Sequence, residues 1–541
     1  MKNPAVDVLL TQAAAHQRLG RVADVIAVCR QAVALQPDDA GACNQIGMLL
    51  SDCGQFDEAA KMYARALELS PGAAAAAFNL GNALRSAGRD EEAMAAYRRA
   101  VDLQADLVPA LVNLSALLNR FERFDEAEAV LRQAVAGAPG HPVPYINLAN
   151  FLSDKGQLEE ALDCIRRGVE LAAGSEHQPY RVSAGNNLAT VLMDCDRVGE
   201  AIDKCRQLMA TGADTPVVRN TLARALLKVG NLSEGLMYYE ARFEGAEPFK
   251  PAPVFPVPRW DGGNLAGRTI LIYDEQGAGD TIQFARYLPL VVARGGRILF
   301  QCRPGLVRLL VGDGSGPAGR GVSAIVKSGD ALSRFDVHSP LMSLPWLFKT
   351  TIDTIPADVP YVFADRALAA AWRARVEKAG DGLLKVGIVW AGSTSYQYNR
   401  RRSIAPRLLA PLTKVGGVRV FSLQIPAKTG PAVDAERTAA EMGMTDWTAE
   451  LADYADTAAL VANLDLVISV DSSVAHVAGA MGKRVWTLIP FNGDWRWFSG
   501  REDSPWYPTM RLFRQERQGG WSGAINRVAE ALAELAAKES R

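Results

Sequence analysis

Three stretches of the chain set acidic, basic or phosphate-binding side chains beside turn residues. The first is DEQGAGDTIQFARYLPLV, residues 274–291, directly after an apolar run ending at Tyr273. Gly277 and Gly279 turn the chain into a helix that opens with Asp280 and Thr281, which exposes a carboxylate and free backbone N–H groups at a helix start. Asp280 has two readings. As a helix cap it satisfies backbone donors and is worth about 1 kcal/mol; as a general base it takes the proton of a hydroxyl attacking a sugar. Ile282 occupies the place of the third glycine, so the stretch is not a dinucleotide fingerprint.

The second stretch, WAGSTSYQYNRRRSIAP, residues 390–406, carries Arg400, Arg401 and Arg402 between a strand end and a helix. Guanidinium groups there can neutralise a diphosphate leaving group, or simply be solvated. The third, DLVISVDSSVAHVAGAMGKRVWTLIP, residues 465–490, reads strand, loop, short helix, strand. Asp471, Ser472 and Ser473 fall where that helix begins, so hydroxyls and helix N–H groups together can hold a phosphate. Small residues Ala475, Ala478, Gly479 and Ala480 let the helix lie close to a sheet, and His476 is either a phosphate or sugar contact or a core histidine. A fourth stretch, NGDWRWFSGREDSPWYPTMRLFRQ, residues 492–515, is dense in aromatics and charges. It reads as packing for the last helix, with Trp495, Arg496, Arg501 and Asp503 as the alternative lining of a donor pocket.

The elements that must position these stretches follow two grammars. After residue 265, short β-branched runs (RTILIYD, GRILFQ, LKVGIVWAG, VRVFSLQ, DLVISV, RVWTLIP) alternate with helical stretches, which predicts two Rossmann-like α/β lobes, 266–383 and 384–541, hinged near Asp381 to Leu384. The cleft between them is the expected active site. Residues 1–245 instead repeat at about 34 residues, the period of tetratricopeptide helix pairs. Ile46, Gly47, Ala59, Tyr63 and Ala66, followed by Pro71, recur as Leu80, Gly81, Ala93, Tyr97 and Ala100, and weaker copies bring the count to about seven repeats. Small residues should let the helices of one repeat approach, while Tyr63 and Tyr97 fill the gap to the next repeat. A linker, residues 246–265, carries five prolines between Pro248 and Pro258.

Composition narrows the function. With 541 residues, 49% hydrophobic and 22% charged, the chain should fold throughout as several domains. Its 59 basic and 60 acidic side chains leave a formal charge of -1, so no global field draws it to nucleic acid or an anionic membrane. No signal peptide or long apolar span is present, which places the expected location in the cytoplasm without integral membrane association. Seven cysteines form no CxxC pair and five histidines no cluster, so neither a metal nor another cofactor is expected.

On EQGAGDTIQFARYLP, Arg402-Ser403-Ile404, DSSVAHVAGAMGK and DWRWFSGREDSPWYP, the sequence resembles bacterial tetratricopeptide-repeat proteins fused to a family 9-like glycosyltransferase domain, the family that includes the ADP-heptose:lipopolysaccharide heptosyltransferases. The resemblance implies an α-solenoid followed by a GT-B fold, with an acceptor-side amino-terminal lobe and a donor-side carboxy-terminal lobe. It implies Asp280 as the base, Arg402 as the residue assisting the diphosphate, and Asp471, Ser472, Ser473 and His476 as the loop around the donor pyrophosphate; Gly277, Gly279, Ser403 and Gln424 complete the expected donor site. The substrate is then a nucleotide sugar, and transfer is inverting and metal-independent. Ser473 stands where heptosyltransferases carry glycine and the loop after Trp390 lacks their threonine pair, so ADP-heptose is not implied. The architecture is also similar to O-GlcNAc transferase and to flagellin glycosyltransferases, which makes a protein Ser/Thr hydroxyl held by the repeats the leading acceptor. A lipopolysaccharide or other glycolipid acceptor, and a non-catalytic adaptor, are the alternatives.

Overall fold

The computed structural model describes residues 4–174, 177–245, 252–312, 316, 321–380, 382–393, 399–427 and 430–539. The start of the linker and the expected hinge residue Asp381 lie outside them. The chain divides into two compact units, Met1–Val191 and Leu192–Arg541.

The first unit consists of helix pairs, for example Ala40–Asp52 with Phe56–Leu69 and Ala74–Ser86 with Asp90–Leu103. The repeated glycine and tyrosine are two halves of one contact. A Cβ on Gly47 would lie 2.7 Å from the Tyr63 ring, and one on Gly81 would lie 2.5 Å from the Tyr97 ring. Each tyrosine therefore fills the interior of its own helix pair, where only a residue without a side chain leaves room for a ring. The gap to the next repeat is met by the phenol tip instead: Tyr97 Oη donates to Asn82 Oδ1 at 2.7 Å and accepts from Asn113 Nδ2 of the following pair at 3.4 Å.

The second unit opens with helices Val198–Ala210, Pro216–Lys228 and Leu232–Tyr239 and continues into two parallel sheets. In the first lobe β1 (Thr269–Tyr273), β2 (Arg297–Cys302), β3 (Val322–Lys327) and β4 (Val337–Pro340) lie in the order β3-β2-β1-β4. In the second, β5 (Leu384–Val389), β6 (Val418–Ser422), β7 (Thr445–Asp446), β8 (Leu466–Val470), β9 (Val485–Ile489) and β10 (Met510–Arg514) lie in the order β10-β9-β8-β5-β6-β7. All strand pairs are parallel, and β8 and β9 are buried along their whole length, as strands covered on both faces must be. The fold is thus helical repeats followed by a two-lobed α/β part, as the sequence leads one to expect.

The 34-residue period runs on to about residue 245, whereas the compact units divide at Val191. Ala223, Leu227, Leu232, Leu236 and Tyr239 bury in the same apolar cluster as Ile270 and Ile272 of β1, so the last repeat helices share a core with the α/β part. Burial of that surface stabilises the shared core by about 25 cal/mol per Å2 of apolar area removed from water.

Candidate functional site

Open parallel sheets bind ligands outside the carboxyl ends of their strands, where the strand order reverses. In the second lobe the reversal falls between β5 and β8, and in the first between β1 and β4. The loops that leave β1, β5 and β8 at these two points are the first three stretches singled out in the sequence.

After β1, Gly277 is the N-cap of helix Ala278–Phe284 and Asp280 is its third residue. Gly277 N donates to Asp280 Oδ2 at 2.7 Å, while Asp280 Oδ1 pairs with Arg496 Nη2 at 2.6 Å. One rotamer fills the capping role and an ion pair from the other lobe, and each carboxylate oxygen keeps a further lone pair for a hydroxyl proton. Arg496 is 9% exposed and also pairs with Asp494 at 2.7 Å. Burial alone would lower its pKa, but Asp280 and Asp494 outweigh that and hold it well above the ordinary value. For Asp494, burial pulls upward and Arg496 wins, leaving the carboxyl below its usual range.

After β5, a Cβ on Gly392 would lie 2.5 Å from the Arg402 guanidinium, so Arg402 rests directly on the backbone of this loop. Arg402 Nη1 stands 3.9 Å from Asp471 Oδ2, the first residue after β8, and both side chains are about 15% exposed: 16% and 15%. Burial raises the Asp471 pKa more than Arg402 lowers it. The three arginines separate: Arg401 turns to Asp194 at 2.8 Å, while Arg402 faces Asp471. Ser403 Oγ donates to Asn399 Oδ1 at 3.2 Å. Gln424 Oε1 accepts from Trp390 N at 3.1 Å and Ala391 N at 2.8 Å, so this side chain holds the β5 loop to the end of β6.

Helix Ser473–Ala480 begins directly after the Asp471-Ser472 pair. Ser472 Oγ bonds Ser469 Oγ at 2.8 Å, and Ser473 Oγ accepts from Tyr454 Oη at 2.8 Å. His476 is 4% exposed, stacks on Trp497 at 5.3 Å and bonds Tyr507 Oη through Nδ1 at 2.9 Å. Burial, followed by Arg496 and Arg286, pushes its pKa down to about 3, so the ring is neutral. Gly279 lies against it: a Cβ there would be 2.7 Å from His476 Cδ2. Helix Ala278–Phe284 of one lobe therefore rests on helix Ser473–Ala480 of the other.

The structure thus gathers Gly277, Gly279, Asp280, Arg402, Asp471, Ser472 and His476 along the facing edges of the lobes. Ser403, Gln424 and Ser473 join them with their side chains engaged to neighbouring protein groups. Arg286 lies within the 274–291 stretch, but nothing in its spacing there gives it a role, and sequence reasoning passes over it. It is buried, donates to Tyr361 Oη at 2.9 Å and to the Trp506 carbonyl, and stacks 4.6 Å over Tyr507, tying the first lobe to the second. A cavity of about 720 Å3 lined by Lys385, Asp465 and Lys483 lies at the amino ends of β5, β8 and β9, away from all of these groups.

Several comparisons bear on this geometry. Residues 44–107 and 120–179 match tetratricopeptide repeat families. Residues 429–489, which hold β8 and the Asp471–His476 loop, match glycosyltransferase family 9 (heptosyltransferase). Protein FlbA of Caulobacter vibrioides is 32% identical over 384 residues, 65% of this chain, and the chain spans 62% of that relative's length. Among solved structures, MamA is 18% identical over 31% of this chain and 92% of its own, with a TM-score of 0.29. A tetratricopeptide repeat protein from Parabacteroides merdae is 12% identical over 46% of this chain and 95% of its own, with a TM-score of 0.38. Among the described residues no helix is long and apolar enough to cross a membrane. The chain therefore carries tetratricopeptide repeats and, at residues 429–489, a segment that matches glycosyltransferase family 9 (heptosyltransferase).

Proposed function

We propose that the protein is an inverting, metal-independent glycosyltransferase that moves a sugar from a nucleotide-sugar donor to a Ser or Thr hydroxyl of a protein recruited by the repeats, with flagellin as the first acceptor to try. The observation that carries this reading is the placement of Asp280, paired with Arg496 of the second lobe, after the carboxyl end of β1, and of Asp471 with Arg402 at the strand-order reversal of the second sheet, Asp471 lying within the family-matched segment. In the proposed reaction the acceptor oxygen attacks the anomeric carbon and its proton passes to Asp280. The bond from the anomeric carbon to the phosphate oxygen breaks on the opposite face, and its electron pair leaves with the nucleotide. Arg402, and Arg496 once it turns from Asp280, carry the positive charge that stabilises the departing phosphate. Neutral and buried His476 acts in this scheme by shaping the loop under Trp497 rather than as a cation. The repeats support a protein acceptor because stacked helix pairs offer extended binding surfaces, and the expected site of action is the cytoplasm.

The test is a thermal-shift panel of nucleotide sugars on wild type and Asp471→Asn. A true donor at 100 times its Kd stabilises the folded protein by about 2.7 kcal/mol, and the variant should lose that shift. The stabilising sugar is then offered with purified flagellin, and attached mass is read by mass spectrometry. Sugar found only on a lipid-linked acceptor would replace the protein-acceptor reading, and a protein that neither binds nor turns over any donor would leave only an adaptor.

A further inference from the structure

The helices Pro216–Lys228 and Leu232–Tyr239 belong to the compact unit of the α/β lobes, and their polar contacts fall on a narrow set of residues. The turn between them is fitted to the first lobe: Gly230 has φ +84°, and a Cβ there would lie 2.6 Å from Ile352 Cδ1. Just after the second helix, Arg242 makes a two-pronged bond to Glu275, Nε to Oε2 at 2.8 Å and Nη2 to Oε1 at 2.9 Å. Tyr239 Oη accepts from Gln276 Nε2 at 2.8 Å. Glu275 and Gln276 directly precede Gly277, the cap of the helix that holds Asp280. On the other lobe, Lys228 O accepts from Ser499 N at 2.8 Å, and the Tyr239 ring meets the edge of Trp495 at 6.0 Å. Asp194, at the end of helix Gln178–Asp194, accepts from Arg401 Nη1 at 2.8 Å and from Asn492 Nδ2 at 2.6 Å. Each loop that carries Asp280, Arg402 or Arg496 is thus bonded to repeat-derived helix within a few residues of the group concerned.

A buried ion pair is a poor source of net stability, because desolvation of two charges offsets their attraction. Arg242 and Glu275 are 6% and 10% exposed. Burial would lower the Arg242 pKa, and Glu275 with Glu240 overcomes it and raises it. What such a pair supplies is direction: a planar fork fixes the carboxylate of Glu275, and with it the backbone that leads into the Gly277 turn.

We propose that the last repeat-derived helices form a third wall of the transferase, with Arg242 and Asp194 as positioning residues for the loops that carry Asp280 and Arg402. This rests on the reading of those loops as the reacting site. The test uses the full chain with Arg242→Met/Glu275→Gln, which removes both charges together so that neither is left buried alone, and with Arg242→Lys as the conservative variant. Hydrogen exchange should speed at least tenfold over 274–280 while β8 stays protected. With the nucleotide sugar that stabilises wild type, kcat should fall at least tenfold and the donor KM should change much less, since six of the eight expected donor contacts (Ser403, Gln424, Asp471, Ser472, Ser473 and His476) lie on the other lobe. Arg242→Lys, which keeps the charge but not the fork, should fall between. Unchanged exchange over 274–280, unchanged kcat, or equal loosening of β8 overturns the proposal. If wild type turns over no donor, the proposed function fails and the exchange measurement alone decides whether these residues position the loop.

Discussion

Acidification should weaken the α/β part through one residue, His476. Its imidazole is enclosed by Trp497, Tyr507 and Gly279, with Arg496, Arg286 and Arg402 disfavouring protonation and Asp494 opposing them. The folded pKa is about 3 against an ordinary value of 6.5. Between these values the unfolded chain binds a proton that the folded chain refuses, so this contribution falls as pH drops below about 6.5 and levels off near the folded value. At pH 5 the unfolded state gains RT ln(1 + 10^1.5), which is about 2 kcal/mol, and the folded state gains almost nothing. The result does not depend on the exact folded pKa, provided it lies well under 5.

The assay follows from the placement of the tryptophans. All ten lie at residue 260 or later, so indole fluorescence in a urea titration reports the second unit alone. Wild type should lose about 2 kcal/mol more than His476→Gln between pH 7 and pH 5, whatever the variant costs at pH 7. Subtracting the two proteins removes carboxylates common to both. If the pH-dependent losses agree within about 0.5 kcal/mol, His476 takes up its proton in the folded state and the enclosed, neutral ring is wrong.

Three other perturbations test the site and the repeats. Gly279→Ala places a methyl group against the boxed-in His476 ring, so it should cost about 1–3 kcal/mol by urea unfolding, and His476→Ala in the same chain should recover part of that loss. Asp280→Asn should lower turnover by about 10^2 to 10^4 while the stabilising donor shifts the unfolding midpoint as in wild type; retained turnover would remove Asp280 as the base. Gly81→Ala should destabilise the repeats by about 1–3 kcal/mol in circular-dichroism melting because its methyl group meets Tyr97, and pairing it with Tyr97→Leu should cost clearly less than the sum of the single changes.

How much of this is legible in the sequence depends on the range of the interaction that decides it. The Gly47 and Tyr63 pairing repeats at Gly81 and Tyr97 because it is settled within one helix pair, so the period exposes it even though the gap filled by the ring is the inner one. Strands β1, β2, β5, β6, β8 and β9 stand out as β-branched runs. β4 does not, since VHSP is four residues long with a histidine and a proline, and β10 hides inside a stretch whose aromatics and arginines read as a pocket lining.

The ion pairs are a different matter. Arg400, Arg401 and Arg402 are consecutive and look equivalent, yet a helical turn rotates successive side chains by about 100°, so neighbours must face different surroundings. Arg401 meets Asp194, a residue in no motif, while Arg402 meets Asp471. Likewise nothing around Asp280 in the chain announces Arg496, because the contact exists only once two sheets with reversed strand order bring their carboxyl ends face to face. Strand-to-helix punctuation therefore locates the loops, and the long-range topology selects their partners. A search confined to motif residues overlooks Asp194 and Arg242, although their bonds help fix where the motif residues stand.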